Sequence, residues 1–405
     1  RPAKGFIPTA SGVAPCFVLA AQAGGAPAVA RLLEGPLDAS EYEGASGSPV
    51  PNHGLPHFRQ CSFAAAYPFG QVRLTDPDVP LIVRLEAYNP LIPGDAERSG
   101  LPFVQLRYVL HNPTPQLVTA AIAAVLPNFI GADGTAGMSE ARANRNIYRQ
   151  EGELAGLFLT SDGVPCDASA WGTLALAVVS PDTVTHRTAW RKVGWGAALL
   201  DFWEDFAADG RLDERPAEGA DAPVGSLAVQ VEVPPSETRA VTFLLAWHFP
   251  NRYTWTPAPP SGGSPADSSG SCTCGACSCG GDRPANPNCI GNYYTTRFRD
   301  AWDVITAVAP QLPELEAETL TFVNAFLAGD LPHAIKEAAL FNLSSLRSQT
   351  CFRTPDGRFY GWEGCGDKQG CCHGSCTHVW NYEQATAFLF GDLARTMREV
   401  EFAHA

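Results

Sequence analysis

The sequence predicts two domains, an antiparallel β-sandwich followed by a helical region. The chain has 405 residues, more than a single hydrophobic core ordinarily organises. Apolar and polar side chains alternate through roughly the first 250 residues, a pattern typical of strands that bury one face. After Gly291 the apolar side chains recur with a helical period instead.

The strand prediction depends on alternation in several segments. In "PLIVRLEAYN", Val83 and Leu85 point to one side of the expected strand, and Arg84 and Glu86 point to the other. The segments "FVQLRYVLHN" and "SLAVQVEVPP" repeat the pattern, and Pro, Gly and Asn separate the strands. Such strands form antiparallel sheets with one buried face. No segment with a helical period is recognised among them, so the pattern argues against βαβ units and favours a large β-sandwich.

The helical prediction begins near residue 291. In "TRFRDAWDVITAVAP", the side chains of Phe298, Ala301 and Ile305 share one stripe, as in an amphipathic helix. Gly329 is typical of a helix end and Pro332 of a helix start. Several helices in succession are therefore expected in this part of the chain.

These patterns give the domain boundaries. We assign residues 1–255 to the β-sandwich domain, 256–290 to a linker or insert rich in Cys, Gly, Pro and Ser, and 291–405 to the start of a helical domain. Because the helical pattern persists to Ala405, we expect this domain to be incomplete, with the chain continuing beyond that residue. The Pro-, Gly- and Asp-rich stretch at 76–103 is interpreted mainly as ordinary turns around a strand.

The composition excludes several classes of function. The net charge is −14, which argues against binding to a nucleic-acid backbone or to an anionic membrane. No apolar run approaches the ~20 residues of a membrane span, so no integral membrane segment is expected. The chain begins at Arg1 rather than Met, so a preceding signal peptide is neither seen nor excluded. An odd number of cysteines, 13, in a large acidic chain favours a reducing compartment and a cytoplasmic location.

Two cysteine-rich stretches suggest a metal site or disulfides. Cys274 and Cys277 have a zinc-ligand spacing, but the usual second pair is absent. The later cluster contains adjacent Cys371 and Cys372, which rarely bind one ion together because successive side chains point apart. A flexible insert with free thiols is the favoured interpretation. We expect no cofactor and no metal, and a structural metal at these clusters remains an alternative.

The segment "GWEGCGDKQGCCHGSCTHVWNYEQ", residues 361–384, is the strongest candidate for a functional site. Trp362 and Trp380 stand near the carboxylate of Glu363, and aromatic rings stack on the apolar faces of sugars. The alternative for the tryptophans is core packing. Glu383 is a second carboxylate, but an acidic residue at a helix N-terminus is favoured by the helix dipole alone.

Four stretches together resemble a known family. They are "YPFGQVRLTDPDVPLIVRLEAYNPLIPGDAERSGLP", "FLLAWHFPNR", "GNYYTTRFRDAWDV" and "GRFYGWEG…SCTHVWNYEQA". In this order they resemble glycoside hydrolase family 116, which includes the non-lysosomal glucosylceramidase (bile-acid β-glucosidase) and microbial β-glucosidases and β-xylosidases. The resemblance implies an N-terminal β-sandwich followed by an (α/α)6 barrel. On this basis the chain would hold only the first helices of the barrel.

The resemblance also implies a mechanism and a set of site residues. Retaining glycosidases use one carboxylate as nucleophile and a second carboxyl group as acid and base. Glu363 matches the family's nucleophile, and the acid/base aspartate is expected beyond the end of the chain, so the 405 residues alone should be inactive. In the better-known branch an aspartate stands at the position of His378, which leaves the sugar open. The substrate-binding residues implied in this way are Trp362, Thr377, His378, Trp380 and Asn381.

The sequence thus predicts a retaining β-glycosidase that acts on β-glucosides, such as glucosylceramide-like, oligosaccharide or aryl glucosides. Its partner would be a small-molecule glycoside or a glycolipid, with no nucleic acid. One alternative is β-xylosidase specificity. Others are a non-catalytic carbohydrate-binding or structural module, and a metal- or thiol-dependent protein built on the cysteine clusters. The oligomeric state is not predicted.

Overall fold

The computed structural model describes residues 14–36, 55–132, 142–179, 181, 183–191, 197–215, 223–254, 288–348, 350–361 and 380–404, with only the backbone of residues 380–383 and 404. The strands are β1 (Cys16–Ala23), β2 (Val29–Leu32), β3 (Gln60–Ala66), β4 (Phe69–Thr75), β5 (Ile82–Tyr88), β6 (Phe103–His111), β7 (Val118–Pro127), β8 (Asn144–Glu151), β9 (Leu154–Ser161), β10 (Thr173–Val179), β11 (Thr183–Arg187), β12 (Val224–Val233), β13 (Thr238–His248), β14 (Cys351–Arg353) and β15 (Phe359–Gly361). The helices are α1 (Ala96–Ser99), α2 (Ala197–Asp209), α3 (Ala301–Val308), α4 (Leu312–Ala328), α5 (His333–Asn342), α6 (Trp380–Leu389) and α7 (Gly391–His404), with short 3-10 helices at Tyr293–Thr296, Ala309–Gln311 and Leu343–Arg347.

Two antiparallel sheets pack face to face and confirm the predicted β-sandwich. One sheet has the strand order β11-β12-β7-β1-β2, and the other has the order β3-β4-β5-β6-β13-β10-β9-β8. The main core lies between them, where Ile122 and Val229 of the smaller sheet belong to one cluster with Tyr108 and Phe243 of the larger sheet. Burial of alternate side chains from both sheets is the interaction that the period-two pattern predicts.

The prediction of a single buried face is wrong for the centre of the larger sheet. Gln105, placed by alternation on the polar side of β6, is only 2% exposed. Its neighbour Phe103 on the same side of the strand belongs to a second core with Leu244, and with Trp302 and Ile305 of α3. Helix α3 therefore covers the outer face of this sheet, and strands beneath it are apolar on both sides.

Helix α2 is an element that the sequence analysis missed. Its side chains Phe202 and Phe206 are fully buried on the outer face of the smaller sheet. The ring of Trp190 stacks on that of Phe202 with centroids 4.7 Å apart. The spacing of Phe202 and Phe206 by four residues is a helical signal inside the β-rich half. The prediction against βαβ units nevertheless holds, because the described strand pairs of both sheets are antiparallel.

A buried ionic cluster fastens α2 to the sheet. Arg187, at the end of β11, is fully buried. Its guanidinium donates to the carboxylates of Asp201 at 2.8 Å and Asp205 at 2.5 Å, and its Nε donates to the carbonyl oxygen of Asp213 at 3.0 Å. A buried cation is tolerated only when it is paired in this way. The cluster therefore fixes where α2 lies on the sheet.

The second half of the described chain is mainly helical, as predicted. Asp300 caps α3 by accepting a hydrogen bond from the backbone N–H of Asp303. Helix α4 ends at Gly329 and α5 follows Pro332, the two boundary residues read from the sequence. The apolar pattern near the C-terminus belongs to two helices, because the chain leaves α6 after Leu389 and starts α7 at Gly391.

None of the helices that the structure describes combines the length and hydropathy needed to cross a membrane.

The described cysteines include both free thiols and a disulfide-bonded residue. Cys16 and Cys61 are free thiols, whereas Cys166 is disulfide-bonded. A disulfide is typical of oxidising compartments and weighs against the reducing compartment expected from the cysteine count. The cytoplasmic location stays a prediction. The predicted insert at 256–290 lies almost wholly outside the described residues.

Replacing His248 by Gln should weaken the acid sensitivity of the fold. His248 is buried at the end of β13, and its Nε2–H donates to the carbonyl oxygen of Phe298 at 2.8 Å. Desolvation lowers the pKa of His248 below its ordinary 6.5. The unfolded chain therefore binds a proton more readily, and stability falls as the pH drops below about 6.5. His248→Gln should reduce this slope, because the glutamine amide can donate to the same carbonyl oxygen and does not titrate.

The measurement is urea unfolding at pH 8.0 and at pH 5.5, followed by tryptophan fluorescence. The control is His111→Gln, because the His111 ring bonds Thr238 at the protein surface. An unchanged pH slope in His248→Gln would contradict the assignment of a buried neutral imidazole.

Peptide mapping tests the disulfide. Digestion without reductant should give the Cys166 peptide linked to a second cysteine-containing peptide, and reduction should separate them. The Cys16 peptide should run unlinked in both samples. Alkylation of Cys166 in unreduced, unfolded protein would refute the linkage.

Candidate functional site

A cavity of about 260 Å³ lies where the sandwich meets the helical region. Its walls come from the loop between β5 and β6, the residues after β13, the segment before α3, the hairpin β14–β15 and the residues that open α7. The cavity combines aromatic and aliphatic side chains with several guanidinium groups. Sites of this composition, mostly apolar with a few converging polar groups, are typical of small-molecule binding.

The loop between β5 and β6 forms one wall and is held by its own hydrogen bonds. The amide of Asn89 donates to the carbonyl oxygens of Leu101 and Phe103 at 3.2 and 2.5 Å. The hydroxyl of Ser99 accepts from the backbone N–H of Ile92 at 2.8 Å and donates to its carbonyl oxygen at 3.1 Å. The wall therefore has a defined shape before any ligand arrives.

The same loop is tied to the helical region through Arg98. Its guanidinium donates to Asp95 at 2.6 Å and to both carboxylate oxygens of Glu318 on α4 at 2.8 Å. Burial alone would raise the pKa of Asp95, but the hydrogen bonds from the backbone and side chain of Arg98 outweigh it, and the pKa is lowered. The hydrogen bond to Glu318 raises the pKa of Arg98 further. This ion-pair network fixes the position of the β5–β6 loop relative to α4.

The hairpin β14–β15 forms the opposite wall. Phe352 and Phe359 from its two strands line the cavity. The backbone N–H of Phe359 donates to the hydroxyl of Thr396 on α7 at 3.0 Å. Between the strands, Gly357 has φ +87°, a conformation that suits glycine. The hairpin is thereby fixed against α7, and β15 ends at Gly361.

Glu97 joins the two walls. Its carboxylate accepts from Arg353 of the hairpin at 2.7 Å and lies 3.3 Å from the guanidinium of Arg297. Arg353 also stacks over the ring of Tyr293, 3.6 Å from its centroid. Burial and a hydrogen bond to Glu97 raise the pKa of Tyr293, so the phenol stays neutral. The cluster connects the β5–β6 loop, the segment before α3 and the hairpin.

Arg347 is a further cation at the cavity, on the 3-10 helix before β14. Its Nη atoms donate to the carbonyl oxygens of Asn89 at 3.3 Å, of Ser99 at 3.2 Å and of Pro90, and lie 3.4 Å from the hydroxyl of Tyr67. Arg347 is exposed to solvent, and these hydrogen bonds hold its head group at the cavity rim. The group is held in place without a carboxylate among the described residues.

The predicted site residues follow the cavity-lining hairpin in the sequence. The structure does not describe their side chains. Trp362 and Glu363 follow Gly361 directly, and they lie outside the described residues, as do Thr377 and His378. The residues in the first turn of α6 have a described backbone only: Trp380, Asn381 and Glu383. The roles of these residues therefore stay predictions.

Both flanks of the undescribed segment belong to one core. Phe359 of β15, Leu389 at the end of α6 and Phe390 pack in a cluster that also contains Leu91 of the β5–β6 loop. Phe359, Phe390 and Leu91 line the cavity as well. Strand β15, which precedes residues 362–379, therefore lines the cavity, and α6, which follows them, packs in the same core.

Sequence reasoning missed the charged residues of the cavity. Glu97, Arg347 and Arg353 carry no recognisable motif, and the stretch around Glu97 was interpreted as ordinary turns. The density of Pro, Gly and Asp there was a usable signal, because rigid loops often carry function.

A metal site is not found in the described part of the chain. There, no three His, Cys, Asp or Glu side chains converge in a way that could hold an ion. The stretches around Cys274 and Cys371 lie outside that part, so the alternative of a structural metal stays open.

Comparisons with known proteins give one family. A family model described as "beta-glucosidase 2, glycosyl-hydrolase family 116 N-term" matches residues 8–315. No curated protein matches the chain.

Two solved structures show a weak likeness. A protein assigned as a kojibiose phosphorylase from the human microbiome has a TM-score of 0.26 and 8% identity, over 46% of this chain and 20% of that one. A mutant of the heparan sulfate lyase HepC from Pedobacter heparinus has a TM-score of 0.25 and 7% identity, over 50% of this chain and 25% of that one. The chain spans a quarter or less of either protein, and TM-scores this low do not establish a shared fold.

Replacing Glu97 by Gln should loosen the hairpin. The variant removes the charge that pairs with Arg353 and Arg297, and because Glu97 is 42% exposed, the loss in global stability should be about 1 kcal/mol or less. Backbone amides of residues 351–361 should nevertheless exchange hydrogen faster, since local opening is more sensitive than global unfolding. Hydrogen–deuterium exchange with mass spectrometry measures this.

The matched control is Glu314→Gln, because Glu314 contacts Arg98 at 3.1 Å and is 67% exposed. It should leave exchange in 351–361 unchanged. Equal exchange in both variants would show that Glu97 does not hold the hairpin.

Proposed function

The chain belongs to glycosyl-hydrolase family 116, and on that premise we propose that it acts as a retaining β-glycosidase on β-glucosides, through a covalent glycosyl-enzyme. The observation that carries the proposal is the position of the cavity. Phe359 of β15 lines it, and β15 ends at Gly361, two residues before Glu363. A nucleophile on the residues that follow the hairpin would reach a sugar held in this cavity.

In the proposed reaction, a carboxylate oxygen of Glu363 attacks the anomeric carbon. The bond from that carbon to the aglycone oxygen breaks, and a second carboxyl group protonates the leaving oxygen. The same group then removes a proton from water, which attacks the anomeric carbon and releases Glu363. Two inversions at one carbon retain the β configuration.

The second carboxyl group is not Glu97 in this proposal. Glu97 accepts from Arg353 at 2.7 Å and lies 3.3 Å from Arg297, so two guanidinium groups already occupy its carboxylate. Glu97 instead supports the wall on which the hairpin rests. We keep the assignment implied by the family, an aspartate beyond Ala405, and propose that α3–α7 are the first helices of an (α/α)6 barrel.

The sugar contacts in this proposal come from the residues flanking the hairpin and α6. Trp362 and Trp380 would stack on apolar faces of the substrate, and Thr377, His378 and Asn381 would bond its hydroxyls. Histidine in place of the aspartate of the better-known branch leaves β-xylosidase specificity as an alternative. The substrate is a small glycoside or the sugar of a glycolipid.

A second candidate function is a carbohydrate-binding module without catalysis. The aromatic side chains of Phe352, Phe359 and Phe390 around the cavity favour sugar binding whether or not a bond is broken. A retaining glycosidase would form a glycosyl-enzyme, whereas a non-catalytic binding module would not.

Labelling of the full-length enzyme by a 2-deoxy-2-fluoro-β-glucoside with a good leaving group should place the sugar on Glu363. The fluorine slows hydrolysis of the glycosyl-enzyme, so the adduct accumulates and peptide mass spectrometry locates it. Glu363→Gln should prevent labelling, because the amide keeps the shape and removes the attacking charge.

The matched control is Glu383→Gln, which should still be labelled, because Glu383 lies in the first turn of α6 and its carboxylate is explained by the helix dipole. A label on Glu383, or on any residue other than Glu363, would overturn the nucleophile assignment.

A further inference from the structure

We propose that the cavity selects an anionic sugar, a glycoside that carries a carboxylate such as a glucuronide. This deepens the proposed function by naming a substrate class for the same site, and it rests on that function. The basis is the juxtaposition, in one cavity, of aromatic side chains with a surplus of fixed positive charge.

The charge surplus is clear among the described residues that line the cavity. Apart from Arg252, three arginines line the cavity, Arg297, Arg347 and Arg353, against the single carboxylate of Glu97. Two net positive charges from these residues thus converge in a protein whose whole chain carries −14. In an acidic protein such a local surplus attracts anions into a concave site, where low-dielectric walls focus the field.

Glu97 neutralises only one side of the cavity. It pairs with Arg353 and Arg297, which come from the hairpin and from the segment before α3. Arg347 lies elsewhere, against the carbonyl oxygens of Asn89 and Ser99. The described partners of Arg347 are neutral oxygen atoms. They accept hydrogen bonds from its guanidinium N–H groups without cancelling its positive charge.

This arrangement makes Arg347 a rigid electrostatic anchor. Hydrogen bonds to loop carbonyls hold the head group, so it cannot swing into solvent without losing them. A ligand carboxylate would pair with this cation, whose charge no described carboxylate balances. Preorganised positive charge of this kind favours binding because little side-chain entropy is lost.

The remaining lining fits the body of a sugar. Arg252 stacks over Phe352, 4.1 Å from the ring centroid, so this part of the wall presents a cation on an aromatic face. Phe359, Phe390 and Leu393 add apolar surface. At about 260 Å³, the cavity lies just below the ~300–1,000 Å³ of sites for drug-sized ligands, which suits a monosaccharide unit.

The test compares binding of two thioglycosides that resist hydrolysis, methyl 1-thio-β-D-glucuronide and methyl 1-thio-β-D-glucoside. Isothermal titration calorimetry at low ionic strength should give at least tenfold tighter binding of the glucuronide. The advantage should shrink several-fold in about 1 M salt, where charges are screened within a few ångströms. Equal affinities, or an advantage that salt does not reduce, would overturn the proposal.

Variants locate the effect in the cavity. Arg347→Met should abolish the preference for the glucuronide, Arg347→Lys should keep part of it, and Arg73→Met, an exposed arginine on β4 away from the cavity, should leave it intact. If Arg347→Met fails to fold, two measurements still test the preference for the glucuronide. They are the salt dependence of binding in the unsubstituted protein and the affinities of the Arg347→Lys variant. A full preference in folded Arg347→Met would overturn the assignment of this site.

Two further arms separate the related explanations. If a 6-sulfated thioglucoside binds more tightly than the thioglucuronide, the cavity selects an anion other than a carboxylate, and the proposal is overturned. Binding is measured independently of hydrolysis, so a protein that forms no glycosyl-enzyme but prefers the glucuronide refutes the catalytic proposal alone.

Discussion

The packing of helix α3 on the outer face of the larger sheet is the interaction on which the rest of the structure depends. Ala175 and Ala177 of β10 have no exposed surface and share a core with Trp302 and Ile305 of the helix. Small side chains on the strand let the helix approach closely. The backbone N–H of Ala301 also donates to the hydroxyl of Thr173 at 2.9 Å. Apolar contact and this hydrogen bond join the two halves into one body.

The position of α3 decides where the cavity forms. Because α4 follows α3 directly, its side chains meet the β5–β6 loop, where the hydroxyl of Thr319 accepts from the backbone N–H of Leu91 at 3.2 Å and Glu318 holds Arg98. The sandwich therefore contributes one wall of the proposed sugar site. The hydrogen bonds to α4 hold the β5–β6 loop in place on that wall.

The sequence predicted the elements better than the site, for physical reasons. Alternation identified β5 because burial acts on each side chain separately. The same rule failed for Gln105, since a helix distant in sequence covers the second face of its strand. Glu97 and Arg353 meet although 256 positions separate them, and no local pattern encodes such a contact. Glu363 was named from resemblance, because a carboxylate in a loop has no periodic signature.

The most direct test of the account is a crystal structure of the protein trapped with a 2-deoxy-2-fluoro glycoside. We expect a sugar bonded to Glu363 and lying in the cavity between the β5–β6 loop and the hairpin, within contact distance of Phe359 and with the guanidinium of Arg347 facing it. A sugar bonded to another residue, or held away from this cavity, would contradict the account.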